Sequence, residues 1–242
     1  KGIIHNLIYA KKNGSSLISL KKRRSERFKA FADQKLNISN LVLNRENITR
    51  EWIESIDFYI CGSDQIWNPL ITGGIDPVFL LQFGKAERRI SVASSLGSKE
   101  PTEAEKSIFK DAFKKFSWIS VREQYAKKCL QDLTDKNIKV LMDPTFLFNK
   151  SEWIDLLGRK SKMFDVKEKY ILTYFISSKK SSYQDRVLEY SKKINCPVWS
   201  IQFTNYTWKV TNKKIMGASI EDFIALFMNA QLILTDSFHG TA

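Results

Sequence analysis

The sequence predicts an α/β protein built from two Rossmann-like domains, on the basis of three observations. Short apolar runs alternate with amphipathic segments between residues 57 and 142, and the same alternation restarts at residue 170. Strands separated by single helices lie parallel in one sheet, so each series predicts its own parallel sheet. The 242 residues also suffice for two small domains. We therefore assign 1–150 to an N-terminal Rossmann-like domain with a basic helical start and 168–242 to an incomplete C-terminal one.

The predicted N-terminal domain starts with helical spacing in the first fifty residues. Apolar and basic side chains recur there every three or four positions between Leu20 and Phe31. Further along, apolar runs predict four strands, at 57–61, 89–93, 118–121 and 138–142. Helices are predicted after Pro101 and from Glu123 to Leu133.

The predicted C-terminal domain follows a connector, 149–169, which holds one short helix at 153–157. Its strands are predicted at 170–176, 197–203 and 232–234, and its first helix at 183–194. A second helix is predicted to begin at Ser219, because the serine hydroxyl can cap it and Asp222 follows three residues later.

Composition excludes several classes of protein. Sixteen Phe and six Trp residues are too many for a disordered chain, and no apolar run reaches the roughly 18–20 residues that span a bilayer. The three cysteines lack a C-x-x-C spacing, which argues against a disulfide framework or a zinc site. We expect buried free thiols in a reducing cytoplasm, and no metal, because the two histidines lie far apart.

The net charge of +13 is concentrated at the amino terminus, where residues 1–50 alone contribute 12 − 3 = +9. A Lys-rich solvated helix explains this block, as does an anionic partner such as nucleic acid, a membrane surface or an acidic substrate. The block has no interleaved aromatic residues beyond Phe28 and Phe31, and no nucleic-acid-binding signature is present, so we predict no nucleic-acid partner. We interpret it as a solvated or membrane-proximal face, which leaves peripheral association with the inner face of the membrane open.

Four polar loops follow predicted strands, at the carboxyl ends where parallel sheets bind ligands. The first turns at Gly62 and offers Ser63, Asp64, Gln65 and Asn68, whose side chains can bind hydroxyl groups. Its Trp67 is interpreted either as a flat face for a sugar ring or as an anchor in the core.

The second and third loops offer groups for an anion. Ser94, Ser95 and Gly97 are small enough for close backbone approach, although they match no standard phosphate-binding fingerprint. Arg122 can bind a carboxylate or phosphate in a bidentate way, but Arg122 and Glu123 are equally typical of a salt bridge at the start of a helix.

The fourth loop holds Asp236, Ser237, His239, Gly240 and Thr241. Imidazole titrates near neutral pH and is suited to general acid–base catalysis. A helix after this loop would present its first amides to an anion. These features favour a functional role for His239.

Five sequence blocks, read together, resemble the polysaccharide pyruvyl transferase family. The blocks are 57–69, 91–97, 119–123, 141–147 and 229–242, and the resemblance runs from about residue 20 to the end. It implies two Rossmann-like domains facing a cleft, as in glycosyltransferases of type B, in a bacterial enzyme that is expected to be cytoplasmic.

The implied activity transfers pyruvate from phosphoenolpyruvate to a saccharide acceptor as a ketal, in exopolysaccharide or cell-wall glycan biosynthesis. Phosphoenolpyruvate would be the donor substrate, with no cofactor. The resemblance makes His239 the candidate for proton transfer and Arg122 the candidate for holding the donor, with the loop Ser63–Asn68 contacting acceptor or donor. The alternative is a nucleotide-sugar glycosyltransferase of the same architecture.

The fourth loop departs from the pattern of many relatives, which have Arg-Leu-His-Gly where this chain has Ser237-Phe238-His239-Gly240. The serine–phenylalanine form resembles a bacterial branch of the family. Donor binding then depends on Arg122 or on another Lys or Arg, or the donor differs. We also expect the chain to be a fragment, because a strand should precede the basic helix and a longer helix should follow His239.

Overall fold

The computed structural model describes residues 15–38, 48–157, 159–176, 181–202 and 209–242. Every pairing between strands in these stretches is parallel, which confirms the predicted α/β class with parallel sheets. The layout is compatible with a Rossmann-like fold. Within the same stretches, no helix combines the length and the apolar character that a membrane crossing requires.

Helices and strands follow one another along the described chain. They are α1 (Ser15–Lys35), α2 (Arg50–Ser55), β1 (Tyr59–Cys61), α3 (Pro69–Thr72), β2 (Arg89–Ser91), α4 (Glu103–Phe113), β3 (Phe116–Trp118), β4 (Ser120–Val121), α5 (Gln124–Leu130), β5 (Lys139–Val140), α6 (Lys150–Leu157), β6 (Ile171–Tyr174), α7 (Ser181–Ile194), β7 (Val198–Gln202), β8 (Lys213–Met216), α8 (Ile220–Asn229), β9 (Leu232–Thr235) and α9 (Phe238–Thr241). Single 3-10 turns lie at Gln131–Leu133, Pro144–Leu147 and Lys162–Asp165.

The chain divides into two compact units. The central unit is Asn40–Leu147, and the terminal unit combines Lys1–Ser39 with Phe148–Ala242. The basic helix α1 thus groups with the carboxyl-terminal part of the chain, whereas it was predicted to belong to the N-terminal domain. The predicted boundaries at residues 150 and 168 stay predictions.

The central unit carries two small parallel sheets, one with the strand order β1-β2-β3 and one pairing β4 with β5. Its core is aromatic: the Trp67 ring packs on Phe109, Phe113 and Phe116 at centroid distances of 5.6 to 6.4 Å. These four side chains are fully buried. Helix α4 supplies two of them and starts at Thr102, where a capping box with Glu105 satisfies its first amides.

The terminal unit is built on one four-stranded parallel sheet with the order β8-β7-β6-β9. Buried apolar side chains of its two central strands pack on both faces, with Tyr170 and Trp199 stacked at 4.2 Å on one of them. Helix α8 begins with the predicted capping box, in which Ser219 and Asp222 each bond the other's backbone amide. This pair fixes the start of α8 at the carboxyl end of the sheet.

Two predicted strands differ from the structure and one strand was not predicted, each for a physical reason. The apolar run 118–121 forms two strands, because β3 pairs with β2 while β4 pairs with β5, so the chain changes sheets at Ile119. The strand predicted at 89–93 ends at Ser91, since Ala93 has a φ of 49°, outside the strand region. Strand β8 was missed because Lys213 and Lys214 occupy half of its four positions.

Other boundaries shift by a few residues. The helix predicted from Glu123 to Leu133 is α5 followed by a 3-10 turn, and the strand predicted at 138–142 is the shorter β5. The helical prediction for the first fifty residues is confirmed by α1, while 1–14 and 39–47 lie outside the described residues, as does Phe203.

Replacing Phe113 with alanine is expected to lower the free energy of unfolding by about 3–5 kcal/mol, since it leaves a cavity between Trp67 and Phe116. Urea denaturation measures this loss. Ile108→Ala is the control on the same helix, because Ile108 is 38% exposed, and it should cost less than about 1 kcal/mol. Equal losses for both variants would contradict this account of the core.

Candidate functional site

Three of the four predicted loops meet in the central unit. The loop at Gly62 follows β1, the loop at Ser94 follows β2 and Arg122 follows β4. Backbone hydrogen bonds join them: Ser95 N donates to Asp64 O at 2.9 Å, and Arg122 N donates to Ser94 O at 3.2 Å. The structure therefore brings these predicted loops together at the carboxyl ends of the strands, where ligands bind in such sheets.

The guanidinium of Arg122 lies at the centre of this cluster. Its Nη1 is 3.1 Å from Asp143 Oδ2 and 4.0 Å from Asp64 Oδ1, while its Nε is 2.9 Å from Glu123 Oε1. The Arg122 side chain is only 6% exposed and that of Asp143 only 2%. Arg122 and Glu123 thus form the salt bridge that was one of the two interpretations. Asp143, in the loop after β5, adds a second ion pair to the same arginine.

Asp143 was not among the predicted site residues. Its Oδ2 accepts a hydrogen bond from the Ser63 hydroxyl, and its Oδ1 accepts from the Thr145 amide at 3.0 Å and the Thr145 hydroxyl at 2.9 Å. Burial alone would raise its pKa, but these hydrogen bonds and that from Arg122 outweigh burial and lower the pKa of Asp143 to about 2. Its position directly after a predicted strand was the signal in the sequence that could have identified it.

Glu123 completes the cluster. Its Oε1 accepts from the Ser95 hydroxyl at 2.6 Å as well as from Arg122. Its Oε2 is buried and has no hydrogen-bond partner in the described part of the chain. Together with Asp64 and Asp143, it places three carboxylates around one guanidinium. This excess of negative charge favours a ligand whose hydroxyl groups donate hydrogen bonds over a ligand that is an anion.

Several predicted binding residues support the loops from inside. Ser94 is fully buried, and its hydroxyl lies 3.5 Å from Cys61 O. Asn68 is also buried; it caps α3 through Leu70 N and donates to Gln65 Oε1 at 2.7 Å. Gly97 lies against Asn68, where a Cβ would be 2.3 Å from the amide nitrogen. The exposed face of the loop is that of Asp64, whose side chain is 69% exposed, with Ser63 and Gln65 partly exposed beside it.

Trp67 and Gly62 have structural explanations. Of the two interpretations of Trp67, the core anchor is correct: the ring is 1% exposed and its Nε1 donates to Phe79 O at 3.0 Å. Gly62 has a φ of +125°, and a Cβ there would lie 1.9 Å from Val92 O, so only glycine fits.

The fourth predicted loop lies in the terminal unit, after β9. Asp236 Oδ1 accepts from Ile176 N at 2.7 Å, which ties the ends of β9 and β6 together. Ser237 caps α9 by accepting from Gly240 N at 3.2 Å, and Thr241 Oγ1 donates to Ser237 O at 3.0 Å. A Cβ on Gly240 would lie 2.7 Å from Thr235 Oγ1, so this glycine allows the close turn.

His239 projects from the first turn of α9 and is exposed. Its ring meets that of Phe238 edge to face at 5.3 Å. The expected helix therefore starts at Phe238, one residue before the histidine. The histidine presents an exposed imidazole near the carboxyl end of β9.

Two further residues belong to this loop's surroundings and were not predicted. Tyr174 ends β6, and its hydroxyl is hydrogen-bonded by the Ser237 side chain. Burial raises the pKa of Tyr174; the Ser237 bond and the Arg24 charge act in the opposite direction, and the charge of Asp236 adds to the rise. Tyr174 lies within the strand predicted at 170–176, close to its carboxyl end, whereas Arg24, about 150 residues away in sequence, gave no such signal.

The remaining titratable groups provide no metal site among the described residues, which contain no cluster of three or more His, Cys, Asp or Glu that could hold an ion. The three cysteines are free, as predicted, and Cys61 and Cys196 are buried while Cys129 is only partly so. Burial, partly offset by a hydrogen bond with Ser94, raises the pKa of Cys61 to about 12, so this thiol is unreactive near neutral pH.

Comparison with protein families identifies the chain. The family model described as polysaccharide pyruvyl transferase matches residues 7–242, nearly the whole sequence. The chain belongs to this family, and its activity is accordingly that of a transferase of polysaccharide biosynthesis. Searches of curated proteins and of solved structures found no match to it.

Asp143→Asn is expected to lower the free energy of unfolding at neutral pH. It should also make that free energy depend less on pH in the acidic range. Because the pKa of Asp143 is lowered to about 2, its contribution is complete above about pH 4 and is lost as the pH falls towards 2. A shift of this size corresponds to about 2 kcal/mol. Urea denaturation at a series of acidic pH values measures it.

Asp64→Asn is the matched control, since it removes an exposed carboxylate 4.0 Å from the same arginine. Exposed ion pairs contribute little to stability, so the free energy of unfolding of this variant should fall with decreasing pH as it does in the wild-type protein. If the free energy of unfolding falls equally steeply with decreasing pH in the wild-type protein and in Asp143→Asn, this role for Asp143 is overturned.

Proposed function

We propose that this protein transfers pyruvate from phosphoenolpyruvate to a saccharide, as a ketal that bridges two hydroxyl groups, in exopolysaccharide or cell-wall glycan biosynthesis. Membership of the pyruvyl transferase family supports the transferred group and the saccharide acceptor. The glycosyltransferase-B-like arrangement of two domains facing a cleft, the bacterial source, the cytoplasmic location and the association with the inner face of the membrane are parts of the same proposal.

The observation that carries the proposal is the placement of His239. The reaction needs a group that can move a proton near neutral pH, and this imidazole is exposed in a loop that Asp236, Ser237 and Gly240 hold in place. The loop lies at the carboxyl end of β9, where parallel sheets bind ligands.

The proposed chemistry balances in two steps. The first acceptor hydroxyl attacks C2 of phosphoenolpyruvate; that hydroxyl loses its proton while C3 of the enol gains one, and His239 is assigned this proton transfer. The second hydroxyl then forms a bond to C2 as the C2–O bond to phosphate breaks, and its proton leaves with the phosphate. The products are one ketal and one inorganic phosphate.

The cluster of the central unit fits the acceptor better than the donor. Ser63, Asp64 and Gln65 present hydroxyl, carboxylate and amide groups, which bind sugar hydroxyls through directional hydrogen bonds. Arg122 already faces Asp143 and Glu123 at hydrogen-bond distance, so a donor anion would have to compete with both carboxylates. We therefore assign Arg122 to positioning the acceptor loop.

The test incubates the full-length protein with phosphoenolpyruvate and a broad panel of oligosaccharides. The expected result is release of inorganic phosphate together with an acceptor mass gain of one pyruvic acid less one water. Phosphate release without a change in acceptor mass would contradict ketal transfer. A nucleotide sugar that transfers its sugar to the same acceptors, with no turnover of phosphoenolpyruvate, would select the glycosyltransferase alternative.

His239→Ala is expected to lower kcat by about 10²–10⁴-fold, the usual contribution of a general acid–base group, with the protein still folded. His239→Gln is the matched variant, because it retains a polar side chain but cannot exchange a proton near neutral pH, and it should be equally impaired. Steady-state phosphate release measures both, and melting temperatures within about 2 °C of wild type establish that the fold is retained. Near-normal turnover in either variant would remove His239 from the mechanism.

A further inference from the structure

We propose that Lys21 and Arg24, on the basic helix α1, bind the phosphate group of phosphoenolpyruvate in a cavity of the terminal unit. This inference rests on the proposed function, because it names the donor of that reaction. It assigns part of the amino-terminal positive charge to a binding site, whereas the sequence analysis interpreted that charge as a solvated or membrane-proximal face.

The cavity has a volume of about 620 Å³ and lies at the carboxyl ends of β6, β7 and β8. Tyr174, Ile201 and Gln202 line it from the sheet, and Gly217–Ser219 line it from the connection between β8 and α8. Lys21, Arg24 and Phe28 of α1 form the remaining wall. A cavity of this volume is ordinary for a small-molecule site, and its position is the one expected for ligands of parallel sheets.

Helix α1 is held against this cavity by Arg27. The Arg27 guanidinium donates to Gly217 O at 3.1 Å and lies 3.3 Å from Asp222 Oδ2. Asp222 is fixed in turn by Ser161, whose hydroxyl donates to its Oδ1 at 2.5 Å. Arg24 lies three residues before Arg27, so the two are neighbours on the helix surface, and Arg24 and Lys21 both line the cavity.

Tyr174 links the cavity to the histidine loop. It lines the cavity, its hydroxyl bonds the Ser237 side chain, and Arg24 is close enough to act on its pKa. Tyr174 also packs closely on the histidine loop, since a Cβ at Gly240 would lie 3.1 Å from Tyr174 Cδ1. A phosphate held at Lys21 and Arg24 is thereby placed beside the element that carries His239.

The charge of the cavity matches a phosphate monoester. None of the described residues that line it is acidic, and two of them are cationic. A phosphate monoester carries about two negative charges at neutral pH, and Phe28, Ile201 and Phe223 supply apolar walls that strengthen the attraction between opposite charges. The central cluster offers the reverse, with three carboxylates around Arg122.

Calorimetric titration of the full-length protein with phosphoenolpyruvate tests the proposal. Lys21→Ala/Arg24→Ala is expected to weaken binding by at least about tenfold, since hydrogen bonds to charged groups are the strong ones. Lys22→Ala/Arg23→Ala is the matched control: it removes the same charge from exposed positions of the same helix that do not line the cavity. Its affinity should stay within about twofold of wild type, the effect of distant, screened charge alone.

Two further measurements separate phosphate binding from a structural effect. Inorganic phosphate should compete with phosphoenolpyruvate in the wild-type protein and in the control but much less in Lys21→Ala/Arg24→Ala, while pyruvate should compete weakly in all three. In turnover, KM for phosphoenolpyruvate should rise and KM for the saccharide should not change. If the double variant fails to fold, Lys21→Gln and Arg24→Gln, each expected to weaken binding, replace it.

The outcomes distinguish this inference from the proposed function. Wild-type turnover with equal affinities in the two double variants, whether both are weakened or neither is, overturns the inference and leaves the proposed function intact. A wild-type protein that neither binds nor turns over phosphoenolpyruvate overturns both.

Discussion

The buried pair of Arg122 and Asp143 is the constraint on which the central unit's loops depend. Their side chains are 6% and 2% exposed, so removing Arg122 would leave the buried carboxylate of Asp143 without its guanidinium, which costs several kcal/mol. Through Ser63, the same carboxylate binds the loop after β1, and through Thr145 it fixes the turn after β5. One ion pair thereby sets the relative positions of three loops, and it does so by engaging the guanidinium that otherwise suits a donor anion best.

Because carboxylates already surround Arg122, the two units differ in the charge that they offer to a ligand. The central cluster surrounds its arginine with Asp64, Glu123 and Asp143, which suits sugar hydroxyls. The proposed donor, phosphoenolpyruvate, would bring a phosphate and a carboxylate and would need the opposite environment. In the terminal unit, α1 supplies cations without an acidic neighbour among the described residues of the cavity wall. Under the proposed donor site, two of the basic residues near the start of the chain, Lys21 and Arg24, would serve binding as well as the solvation of an exposed helix.

The sequence predicted what depends on local pattern and could not predict what depends on packing. Alternating apolar runs identified most strands, and the spacing of Ser219 and Asp222 identified a capping box, because both signals lie within a few residues. The continuous apolar run 118–121 conceals a change of sheet at Ile119, since apolarity is the same in both sheets. The role of Trp67 required knowing its aromatic neighbours. The effect of the Arg24 charge on the pKa of Tyr174 joins residues about 150 positions apart, a separation at which a single sequence carries no signal.

Ser237 has a structural role that an arginine at the same position could not fill, so a cation for the proposed donor would have to come from another element. Its side chain accepts from Gly240 N at 3.2 Å to cap α9 and also bonds the Tyr174 hydroxyl, and the residue is 3% exposed. Arginine has no hydrogen-bond acceptor and a much larger side chain, so it could neither cap this helix nor fit the space that serine fills. The Ser-Phe-His-Gly form of the loop therefore excludes a guanidinium at position 237, two residues before the histidine. Tyr174, which Ser237 bonds, instead lines a cavity together with Arg24 of α1, whose charge acts on the pKa of Tyr174.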